Sequence, residues 1–348
     1  MLKYVVRRLL ILPVVLFVVT LVLFVLFLQV PAEQRVRVYL PSSRPNLSGE
    51  PSEALIQATI ERYGLNEPLS VQYRKWVTSL LEGDWGYSPT WREPVLEGLL
   101  RRVPATLELV SFALVPAILL AVVLGRVAAQ RRGAMPDHLV RSAAFLGWAF
   151  PPFILALVLL NVAYARTGWF PPERMSIWAS PIVNGDEFRA YTGLLTVDAL
   201  LNGQPRISWD AIRHLVLPAT CLALAEWALL TRVMRGSLLD VQHHDYITTA
   251  RAKGLSETQV VRHHAMRNAL LPLISTVGVT PPLLITGVAV VEVVFHFNGV
   301  GRWAVEGFLN TEFPVTVGFA LASCVVTILS SLLADILYAV VDPRVRLY

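Results

Sequence analysis

Residues 245–272 read DYITTARAKGLSETQVVRHHAMRNALLP, a polar stretch between two long apolar segments that we call the polar island. Residues 246–253 favour a helix, and Gly254 is placed to end it because glycine enters the left-handed conformation without a Cβ penalty. Ser256 followed by Gln259 forms the capping box of a second helix. The proline that closes the stretch is predicted to end this second helix, since helices usually stop before a proline.

The polar island therefore predicts a helix–glycine–helix elbow between two apolar segments. It carries the basic residues Arg251, Lys253, Arg262 and Arg267. An elbow of this composition indicates a docking surface on the cytoplasmic side of a membrane. A solvent-exposed connector without any docking role fits the same residues. The chemistry of the island therefore leaves both interpretations open.

The composition indicates a membrane protein. Of the 348 residues, 55% are hydrophobic and 16% are charged, and the mean hydropathy is +0.55. Soluble domains are about 25% charged. Cys221 and Cys324 lie in apolar runs and form neither a disulfide framework nor a zinc spacing. Basic cytoplasmic loops explain the formal charge of +5, so we expect no nucleic-acid partner.

Six apolar runs predict an all-α membrane protein with six transmembrane helices, because about 20 apolar residues cross a bilayer. The first run follows Lys3, Arg7 and Arg8, and it is longer than the core of a secretory signal, so we interpret it as a retained anchor. Pro151 and Pro152 are predicted to kink the third run. The runs are residues 9–30, 107–127, 139–164, 212–233, 273–294 and 317–341.

The positive-inside rule orients these spans. The short loop 126–141 and the polar island are both basic, which places them and both termini in the cytoplasm. Arg101 and Arg102, just before the second span on the outer side, fit this orientation poorly. The chain divides into an N-terminal tail with the first span (1–30), an extracytoplasmic insert (31–105) and a core transmembrane domain (106–348) with a cytoplasmic loop at 236–271.

The insert 31–105 is predicted to contain two amphipathic helices, which either form a cap outside the membrane or lie flat on the lipid interface. One begins after Ser52 and ends at Gly64, and the other begins at Pro68 and ends at Gly83. Apolar residues spaced three and four apart mark one buried face of the second helix. These residues are Tyr73, Trp76, Val77, Leu80 and Leu81. A second polar insert, residues 165–210, resembles a loop too closely for helices to be assigned.

The sequence contains no assembled catalytic motif. It has no Gly-x-x-x-x-Gly-Lys-Ser/Thr loop, so ATP would have to be hydrolysed by another polypeptide, and we expect no enzyme activity and no cofactor in this chain. Neighbouring helical residues point about 100° apart. The pairs His243–His244 and His263–His264 therefore chelate a metal poorly, and we expect interface histidines and no metal site.

Charged residues inside a membrane are costly and are candidates for function. Glu226, Glu292 and Asp335 lie within the predicted fourth, fifth and sixth spans. Each either lines a translocation path or makes a structural hydrogen bond or ion pair between helices. Asp335 lies close enough to the cytoplasmic tail to pair with Arg344.

Several stretches are similar to the permease subunits of ABC importers in the dipeptide/oligopeptide branch, the binding-protein-dependent transport system inner-membrane components. TARAKGL and RNALLP in the polar island resemble the cytoplasmic loop of that family, and the resemblance covers nearly the whole chain. The other matching stretches are GDWGYS (83–88), RRVPATLEL (101–109), VVEVVFHFNGVGRW (290–303), EFPVTVG (312–318) and DILYAVVDPRV (335–345).

The resemblance implies the type I ABC importer permease fold, in which this loop inserts into a groove of the ATPase subunit. The implied coupling residues are Tyr246, Thr249, Ala250, Arg251, Ala252, Lys253, Gly254 and Leu255. The chain departs from the generic Glu-Ala-Ala of the loop by Thr248-Thr249-Ala250, and the spacing from Gly254 to Pro272 is longer than in the generic motif. Asn298 stands where the branch commonly has a proline.

The resemblance also implies the partners: a homologous second permease, two ABC ATPase subunits that bind ATP and Mg, an extracytoplasmic substrate-binding protein, membrane lipid and a peptide cargo. The location would be the cytoplasmic (inner) membrane of a prokaryote. Nickel chelates and oligosaccharides are alternative cargoes of the branch. A proton-coupled secondary transporter with Glu226 or Asp335 as relay is an alternative from another class.

Overall fold

The computed structural model describes residues 2–29, 57, 60–61 and 64–341, and these are mainly helical. The one sheet among these residues is an antiparallel hairpin of β1 (Tyr87–Ser88) and β2 (Glu93–Pro94), which the sequence did not predict. The helices are α1 (Leu2–Leu28), α2 (Leu69–Leu81), α3 (Val95–Gln130), α4 (Met135–Ala149), α5 (Pro152–Leu159), α6 (Ser180–Val183), α7 (Leu195–Leu201), α8 (Pro205–Val241), α9 (Asp245–Ala252), α10 (Glu257–Gln259), α11 (Met266–Val294), α12 (Val300–Leu309) and α13 (Phe313–Val341), with π-helical turns at Leu160–Ala165 and Val260–Ala265.

Each of the six predicted apolar runs is helical over most of its described residues, and the third is interrupted at residues 150–151. Among the described residues, three helices are long and apolar enough to cross a membrane: α3, α8 and Phe313–Leu337 of α13. A fourth span results if α4 and the helix that follows it count as one, and Leu12–Leu28 of α1 is a shorter apolar helix. The structure is therefore that of a helical membrane protein, and six spans stay a prediction.

Helix α8 is the centre of the bundle, packed against α3, α11 and α4. One half of it buries Leu215 and Leu222 in a cluster with Phe295, and the other half buries Leu230 and Met234 among the residues beneath the polar island. Helix α3 crosses α8 closely at Gly125, where an added Cβ would lie 2.8 Å from the Cβ of Met234. Only glycine fits this crossing without displacing a helix.

The third predicted span is broken, not merely kinked. Helix α4 ends at Ala149, and the axis turns by 100° before the next helix continues to Ala165. Phe150 and Pro151 both have extended backbone, as expected for residues that precede a proline. The thiol of Cys221 donates to the carbonyl of Pro152 at 3.2 Å, which attaches the break to α8.

The prediction that Pro272 ends the second island helix is wrong, because α11 runs through Pro272 to Val294. A proline inside a helix costs about 3 kcal/mol, since it removes a hydrogen bond and crowds the preceding turn. Ala265, Ala269 and Leu273 are buried on one continuous face across this proline. Packing of that face keeps the helix intact.

The helix predicted after Ser52 lies largely outside the described residues. The second one is α2, with Pro68 as its N-cap and Gly83 at φ +89° after its end, as predicted within a residue. Trp76 is buried beside Phe24 of α1, at 5.7 Å between ring centroids. Leu81 is 84% exposed, so its placement on the apolar face was wrong.

The segment 165–210, expected to be loop-like, folds compactly over α6, α7 and the start of α8. Its small core includes Ala179, Leu195 and Ile207. Asp198 closes one turn by accepting from the backbone N–H groups of Thr192 and Gly193, both at 2.8 Å. Polar side chains thus supply the order that regular secondary structure does not provide here.

Candidate functional site: the helical elbow

The predicted elbow is present. Helix α9 spans Asp245–Ala252, and Gly254 follows with φ +79°. Ser256 then caps α10 in a reciprocal capping box: its backbone N–H donates to Gln259 Oε1 at 3.0 Å, and its Oγ accepts from the Gln259 N–H at 3.4 Å. Local sequence chemistry therefore determines both helix ends at the bend.

Gly254 is required for its backbone conformation and not for space. A Cβ added there would meet nothing within 4 Å. A positive φ is nevertheless unfavourable for a side chain with a Cβ, and most unfavourable for a β-branched one. Any effect of substituting Gly254 will therefore come through the bend itself.

An ion pair that the sequence did not reveal closes the elbow. Arg251 Nε donates to Glu257 Oε1 at 2.6 Å across the glycine, with the two side chains 40% and 66% exposed. Such an exposed pair contributes at most about 1 kcal/mol. It biases the angle between α9 and α10 without locking it.

The predicted coupling residues divide between two faces. Tyr246, Thr249, Arg251, Ala252, Lys253 and Gly254 are exposed, and Leu255 is half-buried. Ala250 is buried and supports α9 from beneath, next to Ile247. Asn268 of α11 donates to the hydroxyl of Tyr246 at 2.7 Å, so this tyrosine is held in place at the outer face. The docking role of these residues stays a prediction.

The inner face of the elbow attaches it to the bundle. Val260 and Val261 are buried in one apolar cluster with Met234 and Leu238 of α8. Ser237 of α8 also donates to the carbonyl of Ala269 at 2.9 Å. The inner face of the elbow is therefore in direct contact with α8.

The island histidines make local contacts. The Nδ1 atoms of His243 and His263 each face the carbonyl four residues before them, at 2.8 and 3.2 Å. His244 stacks on the Tyr246 ring at 5.7 Å, and His264 is exposed. In the part of the chain that the structure describes, no three His, Cys, Asp or Glu residues are grouped as metal ligands.

Glu292 of α11 is fully buried, and its hydrogen bonds join α11 to α3 and α12. Thr106 of α3 donates to its Oε1 at 2.6 Å, and the backbone N–H of Arg302 in α12 donates to its Oε2 at 2.9 Å. The Val300 N–H in turn donates to Thr106 Oγ1 at 2.9 Å. This geometry favours the structural interpretation of Glu292 over a place in the path.

Glu226 and Asp335 are both half-buried, on α8 and α13. Glu226 Oε2 is shielded from solvent and accepts no hydrogen bond from the described residues. The predicted partner of Asp335, Arg344, lies outside the described residues. A role of either acid in the path stays a prediction.

Sequence reasoning missed Glu108, which joins α3 to the segment 165–210. It accepts from the N–H and hydroxyl of Thr196, both at 2.7 Å, and pairs with Arg174 Nη2 at 2.9 Å. The signal was available, because Glu108 falls inside the apolar run 107–127. Asp137 was missed as well; it is buried and forms a bidentate pair with Arg235 at 2.7 and 2.8 Å.

The two arginines that fitted the orientation poorly share one acidic partner. Arg102 is buried, pairs with Glu93 and donates from Nε to Asn298 Oδ1 at 3.2 Å. Its guanidinium also lies 4.3 Å from the centroid of Trp91. Arg101 Nη1 pairs with the other oxygen of Glu93 at 3.1 Å. One carboxylate offsets only one of the two positive charges, so the pair still fits the predicted orientation poorly.

The sequence matches two family descriptions. Residues 121–347 match "Binding-protein-dependent transport system inner membrane component", and residues 1–110 match the N-terminal region "Binding-prot-dependent transport system membrane comp, N-term". The oligopeptide transport system permease protein AppB of Bacillus subtilis is 35% identical over 347 residues, 99% of this chain and 100% of the relative.

Two further relatives have similar coverage. The di/tripeptide transport system permease protein DppB of Pseudomonas aeruginosa is 34% identical, and the dipeptide transport system permease protein DppB of Escherichia coli K12 is 33% identical. In both cases the match covers 99% of each chain. The chain therefore belongs to the family of binding-protein-dependent transport system inner membrane components.

Proposed function

We propose that this chain is the transmembrane permease subunit of an ATP-driven ABC importer for dipeptides or oligopeptides. The observation that carries the proposal is similarity along the full chain to relatives that are named peptide permeases. The chain would form the translocation path with a homologous second permease. Transport would proceed by alternating access.

The proposed architecture is the type I importer permease fold with six spans and both termini in the cytoplasm of a prokaryotic inner membrane. Helical structure at all six apolar runs and the basic loop 126–141 support it. Segment 31–105 would then lie outside and face the substrate-binding protein. Residues 95–105 at the end of that segment form the first turns of α3, so this part of the segment is continuous with the core.

Labelling of single cysteines tests the orientation. In a background that lacks Cys221 and Cys324, Asp186→Cys is expected to react with a membrane-impermeant maleimide on intact cells. Arg132→Cys is expected to react only after permeabilisation. Both positions are exposed, so access depends on the membrane alone. The reverse pattern would refute the topology.

The coupling proposal assigns the exposed face of the elbow to a groove on the ATPase subunit. Its support is geometric: α9 presents Tyr246, Arg251 and Lys253 outwards, while Val260 and Val261 attach the elbow to α8. Closure of two ATPase subunits around ATP and Mg would push the elbow, and α8 would carry the movement into the bundle. This chain needs no cofactor of its own in that scheme.

Reconstitution into vesicles tests the function. Uptake of a dipeptide is expected to require both permeases, the ATPase subunits, ATP and the binding protein, and to persist with a protonophore. The purified chain alone should hydrolyse no ATP. Uptake abolished by the protonophore would favour the proton-coupled alternative through Glu226 or Asp335. Displacement of the dipeptide by a nickel chelate or an oligosaccharide would reassign the cargo.

A further inference from the structure

A cavity of about 610 Å³ lies between α4 and α8, on the half of α8 that faces the polar island. Side chains of both helices line it, and it belongs to none of the arrangements described above. Its walls include basic groups as well as aromatic ones. The basic lining residues are His138, Arg141, Arg232 and Arg235.

Two of the arginines in the wall form no direct ion pair. Asp137 engages Arg235 through both carboxylate oxygens. Arg141 and Arg232 form no ion pair and no hydrogen bond with any residue that the structure describes, although the Arg232 guanidinium lies 5.7 Å from the centroid of Trp148. The cavity therefore carries a surplus of positive charge.

The remaining wall is apolar. Phe145, Leu146 and Trp148 of α4 are 73%, 58% and 57% exposed in this chain and line the same cavity as the arginines. Cationic groups and exposed apolar side chains in one cavity suit a ligand with an anionic head and an apolar tail. Anionic phospholipids have this chemistry, and basic pockets between helices on the cytoplasmic side bind their headgroups.

We propose that this cavity binds an anionic phospholipid, with the headgroup phosphate at Arg141 and Arg232 and the acyl chain along Phe145 and Leu146. The proposal rests on the orientation proposed above, which places the basic loop 126–141 at the cytoplasmic surface. There the anionic headgroups of the inner leaflet lie level with the cavity.

Lipid retention by the purified importer tests this proposal. The complex is equilibrated in detergent with equimolar phosphatidylglycerol and phosphatidylcholine, and bound lipid is measured by native mass spectrometry. The intact complex should retain phosphatidylglycerol in preference. Each arginine near a membrane surface contributes about a fivefold change in affinity, so Arg141→Gln with Arg232→Gln should weaken retention roughly 30-fold.

A control pair of variants keeps the test decisive. Arg131→Gln with Arg132→Gln removes two exposed charges of the same loop outside the cavity and should change retention little.

Equal loss in the control pair, or no preference for phosphatidylglycerol in the intact complex, would overturn the assignment. So would displacement of the lipid by a dipeptide, which would place cargo in the cavity. The measurement needs neither nucleotide nor binding protein. Its failure is therefore distinguishable from failure of the proposed transport function.

Discussion

Gly254→Val is expected to leave the importer inserted and assembled while it uncouples ATP hydrolysis from transport. Valine at φ +79° is strained whatever the surroundings, and a position of this kind costs on the order of 1–3 kcal/mol. That energy is small against the stability of a helical bundle but large against a docking equilibrium. The bend between α9 and α10 should relax, and the exposed face of the elbow should no longer fit the ATPase.

Because the space around Gly254 is open, any effect of Gly254→Val on coupling is caused by backbone strain. An added side chain contacts nothing within 4 Å, so steric displacement of neighbours does not contribute. Transport and ATPase activity of the reconstituted complex are the measurements. We expect transport to fall by about tenfold or more, which corresponds to 1.4 kcal/mol or more of lost coupling energy.

Two variants serve as controls. Gly254→Asn should approach wild-type transport, because asparagine tolerates the left-handed region far better than valine. Gly133→Val introduces the same strain at φ +77°, also in open space, but in the loop 131–134 away from the elbow. It should leave coupling intact. Wild-type transport and hydrolysis with Gly254→Val would refute the coupling role of the bend.

Glu292→Ala is expected to destabilise the folded chain by about 2–4 kcal/mol, because it leaves the Thr106 hydroxyl and the Arg302 N–H buried without their acceptor. Glu292→Gln keeps one carbonyl acceptor and should cost less. The thermal unfolding midpoint and the yield of assembled importer report the effect. Transport per folded complex should stay near the wild-type rate for Glu292→Gln.

Glu306→Ala is the matched control for this test. Glu306 pairs with Arg302 at 2.8 Å on the exposed side of α12, with both side chains partly solvated. Removing a surface pair of this kind should cost about 1 kcal/mol or less. A folded Glu292→Gln complex without transport would instead place Glu292 in the translocation path.

The sequence by itself determined the features whose causes are local. The apolar runs predict membrane-spanning helices because about 20 apolar residues in a row are enough to cross a bilayer, whatever residues lie next to them. Gly254 and the capping box at Ser256 specify the elbow because their hydrogen bonds and backbone preferences span only a few residues. Because the motifs are short and local, the resemblance to the family could be recognised before the packing was known.

Only the tertiary structure decided the features that depend on partners distant in sequence. The carboxylates of Glu108 and Glu292 are satisfied by residues 88 and 186 positions away, so no local pattern reveals whether they tie helices together or line a path. Pro272 behaves against its local preference for the same reason: α11 continues because its buried face packs on both sides of the proline. The favourable free energy of packing between residues distant in sequence exceeds the local cost of the proline, about 3 kcal/mol. This packing is seen only in the tertiary structure.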